Sequence, residues 1–169
     1  MRFIMKPVTL LFALIFYSAN AFSQPAEKLP GYLQNPAIPD FNIWRVEDST
    51  AFTKKDLDPT KVTIMMVFGP ECSHCKDATK KILEQIDLFK DVQIIMYAPT
   101  RHELAVNFYK EMGLSGYPQF IVGSDPPFHL GGFYQVSSLP TLFLYDKKGK
   151  FVKKYEKADI VPEKIASDL

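Results

Sequence analysis

Cys72 and Cys75 are the only cysteines in the chain, and they are separated by just Ser73 and His74. A disulfide between them would close a loop of a few residues and remove little chain entropy, so it would hold almost nothing together. The same spacing suits thiol–disulfide exchange, in which one thiolate attacks a substrate disulfide and a nearby second thiol resolves the mixed disulfide. Cys72 is the expected attacker and Cys75 the resolver. Three neighbours can tune the pair: Glu71, Ser73 and His74. A protonated His74 would stabilise a Cys72 thiolate and with it the reduced form, making the pair more oxidising. Glu71 opposes this by placing negative charge beside the same sulfur. A solvated loop histidine is the plain alternative for His74.

Other uses of a Cys-x-x-Cys pair fit poorly. Structural zinc takes four ligands, and the three histidines, His74, His102 and His129, stand at no ligand-like spacing. Covalent haem attachment requires histidine directly after the second cysteine, where this chain has Lys76. A thiol peroxidase pattern, Pro-x-x-x-Thr-x-x-Cys, fails at Met65 and Gly69. No metal and no cofactor are expected beyond the redox-active Cys72–Cys75 disulfide. Met65, Met66 and Met96 lie in apolar runs and read as core rather than as copper ligands.

The elements that must position the cysteines are legible on both sides of them. The run Val62-Thr63-Ile64-Met65-Met66-Val67-Phe68 predicts a strand buried on both faces, and Gly69-Pro70 stops it. From Cys75 onward, apolar residues at Ala78, Ile82, Leu83, Ile86 and Phe89 mark one face of a helix, with Lys76, Asp77, Lys80, Lys81, Glu84 and Gln85 on the other. The cysteines therefore stand where a central strand turns into a helix N-terminus, and unpaired N–H groups there favour a thiolate. A second buried strand is expected over 92–98. Thr100-x-x-Glu103 has the form of a capping box, and Leu104, Ala105, Phe108, Tyr109 and Met112 give a helical stripe ending at Gly113. This strand–helix–strand–helix order implies parallel strands joined by a crossover helix.

The flanks are less regular. A short strand is expected over 38–43, with Phe41 and Ile43 facing inward, and one helical turn at Thr53-Lys54-Lys55-Asp56. Trp44 is expected to pack under the N-terminal arm. Residues 117–122 suggest a strand, Asp125-Pro126-Pro127 a break, and 128–136 a helical turn interrupted by Gly131-Gly132. Phe120, Phe128, Phe133 and Tyr134 are candidates for a substrate-facing surface. Residues 140–145 and 151–155 predict a hairpin across a Gly-containing basic loop. A last helix opens at Pro162 and carries Ile165 and Leu169.

Residues 1–23 read as a signal peptide: Arg2 and Lys6, an apolar stretch of about ten residues, then small residues at a cleavage site placed after Ser23. An uncleaved anchor stays open, although about 20 apolar residues are needed to span a bilayer. Residues 24–37 form a linker or surface-hugging arm, and 38–169 the folded domain. Removing the leader with Arg2 and Lys6 changes the formal charge from +1 to −1. This balance argues against nucleic acid as a partner. Export would place the cysteines where disulfides persist, in the periplasm or cell envelope.

Taken together, the Cys-x-x-Cys helix after a buried strand, the second strand and helix, and Leu139-Pro140-Thr141 opening a hairpin resemble the thioredoxin fold. Ile38-Pro39-Asp40-Phe41 and Tyr134-Gln135-Val136 ahead of Pro140 resemble its extracytoplasmic branch, the TlpA/ResA-like thiol–disulfide oxidoreductases, over residues 38–157. The resemblance implies an α/β fold: a central mixed β-sheet flanked by helices, with an N-terminal strand extension and an insert before Pro140. It also implies that Pro140 is a cis proline beside the cysteines and that Leu139 and Pro140 bind substrate peptide. The implied partners are thiols and disulfides of exported proteins, apocytochrome cysteines among the options, and a membrane-embedded thiol carrier that resets the pair. A monomer acting as reductant rather than oxidant is the favoured form. Three departures stand out. Phe68 and Glu71 replace the usual tryptophans, Met66 replaces a buried acid, and Ala78, with Asp77 one place off, replaces a glutamate. A binding or chaperone-like module with little redox turnover is the alternative.

Overall fold

A computed structural model of the protein describes residues 29–125 and 127–169. The leader assigned to residues 1–23 lies outside the described residues. Among the described residues, seven strands form one mixed sheet in the order β2-β1-β5-β4-β3-β6-β7. They are β1 (Asn42–Arg45), β2 (Ala51–Thr53), β3 (Val62–Val67), β4 (Val92–Ala98), β5 (Phe120–Ser124), β6 (Thr141–Tyr145) and β7 (Phe151–Glu156). Strands β3, β4 and β5 run parallel, while β1 joins β5, and β6 joins β3, antiparallel. The helices are α1 (Gly31–Gln34), α2 (Ser73–Glu84), α3 (His102–Glu111), α4 (Gly131–Tyr134) and α5 (Pro162–Ala166).

The two central strands show no polar alternation because both faces are covered. Every residue of β3 and β4 is buried. On one face Ile64, Met66 and Phe68 pack with Ile82, Phe108 and Ile165. On the other, Met65 and Val67 pack with Tyr97, Tyr134 and Phe143. The side-chain period of two sends neighbouring methionines into opposite cores.

The N-terminal arm is a structural part of the second core. Tyr32 of α1 is buried, with ring centroids 5.0 Å from Phe143 and 4.9 Å from Phe151. The Pro36 carbonyl accepts a 2.6 Å hydrogen bond from the Phe151 amide, and Ala37 bridges to Lys150.

Several local expectations are corrected. Trp44 does not pack under the arm and is 49% exposed. The strand period places it opposite the fully buried Ile43, on a face left half open. Thr100 does not cap α3: the helix starts after Arg101 without a side-chain cap. Instead the His102 ring bonds Ser124 Oγ at 3.0 Å and Ser49 Oγ at 3.3 Å, pinning the first turn to β5. Gly131-Gly132 opens α4 rather than interrupting it. A Cβ on Gly131 would lie 2.2 Å from the Phe128 ring, so glycine is needed for that ring to lie against the turn. Leu169 is exposed because α5 ends at Ala166. The three-residue strand β2 gave no sequence signal, being too short to show a period. Phe120 and Tyr134 are core residues and Phe133 packs against the core, which leaves Phe128, 42% exposed, as the accessible member of that group.

Candidate functional site

The site forms where β3 ends. The Phe68 amide donates to the Tyr97 carbonyl, continuing the parallel pairing one residue past the strand, and the Cys72 amide donates back to the Gly69 carbonyl at 3.1 Å. This turn delivers Cys72 as the residue capping α2. Its sulfur accepts from the Cys75 amide at 3.3 Å. A sulfur in this position takes one of the N–H groups that a helix start leaves unpaired, and negative charge on it is favoured by the helix dipole.

The two cysteines have different surroundings. Both are free thiols; Cys72 is partly exposed and Cys75 fully buried. Burial, followed by the hydrogen bond with Cys72, pushes the Cys75 thiol up to about 12, against a smaller downward pull from the Gly69 amide. That amide lies 3.4 Å from the Cys75 sulfur. Thr79 Oγ1 bonds the Cys75 carbonyl at 2.8 Å and steadies the first turn of α2.

Opposite Cys72 lies the start of β6. The Leu139–Pro140 peptide bond is cis, and the Cys72 sulfur reaches the Leu139 carbonyl at 3.9 Å. Thr141 Oγ1 donates to the Ser138 carbonyl at 2.7 Å. Glu156 Oε1 of β7 lies 3.4 Å from that hydroxyl and 3.5 Å from Ser138 Oγ. The loop carrying Leu139 is therefore braced from the adjacent strand. The role of Thr141 and Glu156 was not read from the sequence, although a threonine directly after Pro140 was the available signal.

A groove of about 550 Å³ opens between α2 and this loop, with His74, Asp77, Lys81, Leu139, Pro140 and Ile160 among its lining residues. Thus Cys72, Cys75, His74, Leu139 and Pro140 come together. Glu71 and Ser73 are exposed beside them. Met66 and Ala78, which stand where an acid was sought, are buried apolar residues. Asp77 lines the groove rather than the buried sulfur, and among the described residues no carboxylate hydrogen-bonds either cysteine. Lys157 and Ile160, which close the groove, follow β7 and gave no sequence signal. Among the described residues, no group of three or more His, Cys, Asp or Glu side chains could hold a metal ion.

No family model and no curated protein matches the chain. Solved structures do. A candidate thioredoxin from Neisseria meningitidis is 25% identical over 72% of this chain and 79% of its own, with a TM-score of 0.58. A secreted disulfide oxidoreductase of Mycobacterium tuberculosis, described as homologous to E. coli DsbE, is 15% identical over 76% and 92%, with a TM-score of 0.62. Arabidopsis thaliana ScoI, solved with copper bound, is 20% identical over 77% and 96%, with a TM-score of 0.61. The sheet order, the cysteine-capped helix after β3 and these likenesses agree: the chain has the thioredoxin fold.

Proposed function

We propose that the protein is an extracytoplasmic thiol–disulfide oxidoreductase that exchanges disulfides with exported proteins through Cys72 and Cys75. The observation that carries this reading is the asymmetry of the pair: a half-buried sulfur capping α2 beside the Leu139 carbonyl, with a fully buried thiol one turn behind it. In the reducing direction, which we favour, the Cys72 thiolate attacks one sulfur of a substrate disulfide and the other sulfur leaves as a thiolate. Cys75 then gives up its proton, attacks the Cys72 sulfur and expels the second substrate thiolate. Two electrons pass to the substrate, and its two thiolates take up the protons. Because burial holds the Cys75 thiol up, losing its proton is the costly part of this step, and the Gly69 amide offsets part of that cost by steadying the charge that develops on the sulfur. The oxidised pair would be reset by a membrane-embedded thiol carrier.

Two variants test the reading. A Cys75→Ser protein should accumulate a mixed disulfide with a reduced-and-reoxidised protein substrate, visible on a non-reducing gel, and Cys72→Ser should trap nothing and lose all turnover. Wild-type protein that reduces no disulfide, with Cys72→Ser indistinguishable from it in partner binding, would point instead to a binding module.

A further inference from the structure

Two depressions share Leu139 and Ser138 as a border. The first is the groove beside α2, where Asp77 and Lys81 face Lys157, Ala158 and Ile160. The second, of about 370 Å³, is lined by Val67, Pro99, Phe128 and Val136 and, among the described residues, carries no charged side chain. The Cys72 sulfur, 3.9 Å from the Leu139 carbonyl, reaches this shared border.

The charges of the first depression are not balanced. Asp77 and Lys81 stand four residues apart on one face of α2, acid ahead of base, so each offsets the other. Glu156, next to the Ser138 hydroxyl, is paired with Lys154 at 3.0 Å. Lys153 is paired with Asp168, and Asp159 with Lys164. Lys157 is exposed and, among the described residues, makes no ion pair. Its φ of 50° is in the left-handed region, which disfavours any residue with a Cβ and which glycine would occupy more easily. A lysine at this turn places an uncompensated cation on the groove wall beside the buried, apolar Ile160.

Building on the disulfide-exchange reading of Cys72, we propose that the site selects extended substrate segments whose reacting cysteine is flanked on one side by an acidic residue, which meets Lys157, and on the other by an apolar residue, which seats against Phe128 and Val136. An extended segment suits a border shared by two depressions, because side chains two residues from the cysteine, before and after it, leave the backbone on the cysteine's own side about 7 Å away. Charge complementarity at Lys157 fixes the acid, and the uncharged second depression fixes its partner. The chemistry is the exchange already described: the peptide disulfide gains two electrons and the Cys72–Cys75 dithiol becomes a disulfide.

The test uses homodimeric disulfides of eight-residue peptides with one cysteine, carrying Glu two residues before and Leu two residues after it, the reverse order, and both orders with Lys in place of Glu. Rates of oxidation of the reduced full-length protein are measured at low ionic strength, each divided by the rate with uncharged 2-hydroxyethyl disulfide on the same variant. One Glu/Leu order should react about three- to fivefold faster than its Lys counterpart, a gain typical of an exposed ion pair, and the gain should shrink in about 1 M salt. Lys157→Glu should reverse the preference. Lys157→Gly, which keeps the left-handed turn, should abolish it. Equal rates for Glu and Lys peptides on protein that reduces 2-hydroxyethyl disulfide would overturn the inference and leave disulfide exchange standing. Failure to reduce 2-hydroxyethyl disulfide as well would remove the exchange reading, and the inference with it.

Discussion

At the scale of single residues, the chemistry rests on two sulfurs three positions apart that meet different environments. Cys72 caps a helix and is partly open to solvent, whereas Cys75 is fully buried and belongs to the same core cluster as Phe68, Ala78 and Ile82. Because burial raises the Cys75 thiol from 9.0 to about 12, its neutral form is favoured by the fold. The stability this contributes is fully present below about pH 9 and is lost as pH rises toward about 12. The same shift governs reactivity, since only a thiolate attacks an alkylating agent. Iodoacetamide at pH 7 to 8 should therefore modify reduced protein once, at Cys72, as read by mass spectrometry and peptide mapping. Comparable labelling of both cysteines would mean that Cys75 is neither buried nor held neutral. His74 lines the groove on the solvent side of α2, where a charge can act on Cys72 or on an approaching substrate.

At the scale of elements, the cysteine helix is positioned by two strands that the sequence announces plainly. Uniform apolar runs at 62–68 and 92–98 and the stripe from Ala78 to Phe89 could be read because burial on both faces, and helical amphipathicity, leave strong patterns. The structure trims the helix to Ser73–Glu84 and ends the stripe in a 3-10 turn, Ile86–Phe89. What stayed illegible is held by tertiary contacts between short pieces. Strand β2 has three residues, the start of α3 is pinned by His102 rather than by Thr100, and the groove wall at Lys157 depends on a backbone turn with no residue signature. Gly123 shows how tightly the N-terminal strand extension is joined to the rest. A Cβ there would meet Ile43 at 2.7 Å, and close to the root of that side chain at 2.9 Å. Ile43 is fully buried and cannot swing away. Gly123→Ala should cost about 1–3 kcal/mol, measured by urea denaturation. An unchanged midpoint would mean that β1 shifts freely against β5.

At the scale of the whole molecule, a two-faced sheet holds the redox pair at the carboxyl end of its parallel strands. The α2 and α3 side is tied by the Lys76–Glu111 ion pair at 2.8 Å, and the opposite core is closed by the N-terminal arm through Tyr32. Cys72 and Cys75 could be singled out because their motif is a short local signal, whereas Leu139 and Pro140 were placed beside them only by the resemblance to the thioredoxin fold. Phe128 was a candidate for the substrate-facing surface, whereas Lys157 was not, since it reaches the groove from a turn far from the cysteines in the chain. All of these parts serve the proposal that Cys72 and Cys75 cycle between dithiol and disulfide. The most direct test is to equilibrate the protein with graded dithiothreitol or glutathione buffers and quantify the free thiols. A single two-electron transition near about −270 mV, in the range of thioredoxin, is the expected result for a reductant. A pair that shows no transition in any buffer would contradict the proposed oxidoreductase, and a midpoint near about −120 mV would reverse its direction to disulfide donor.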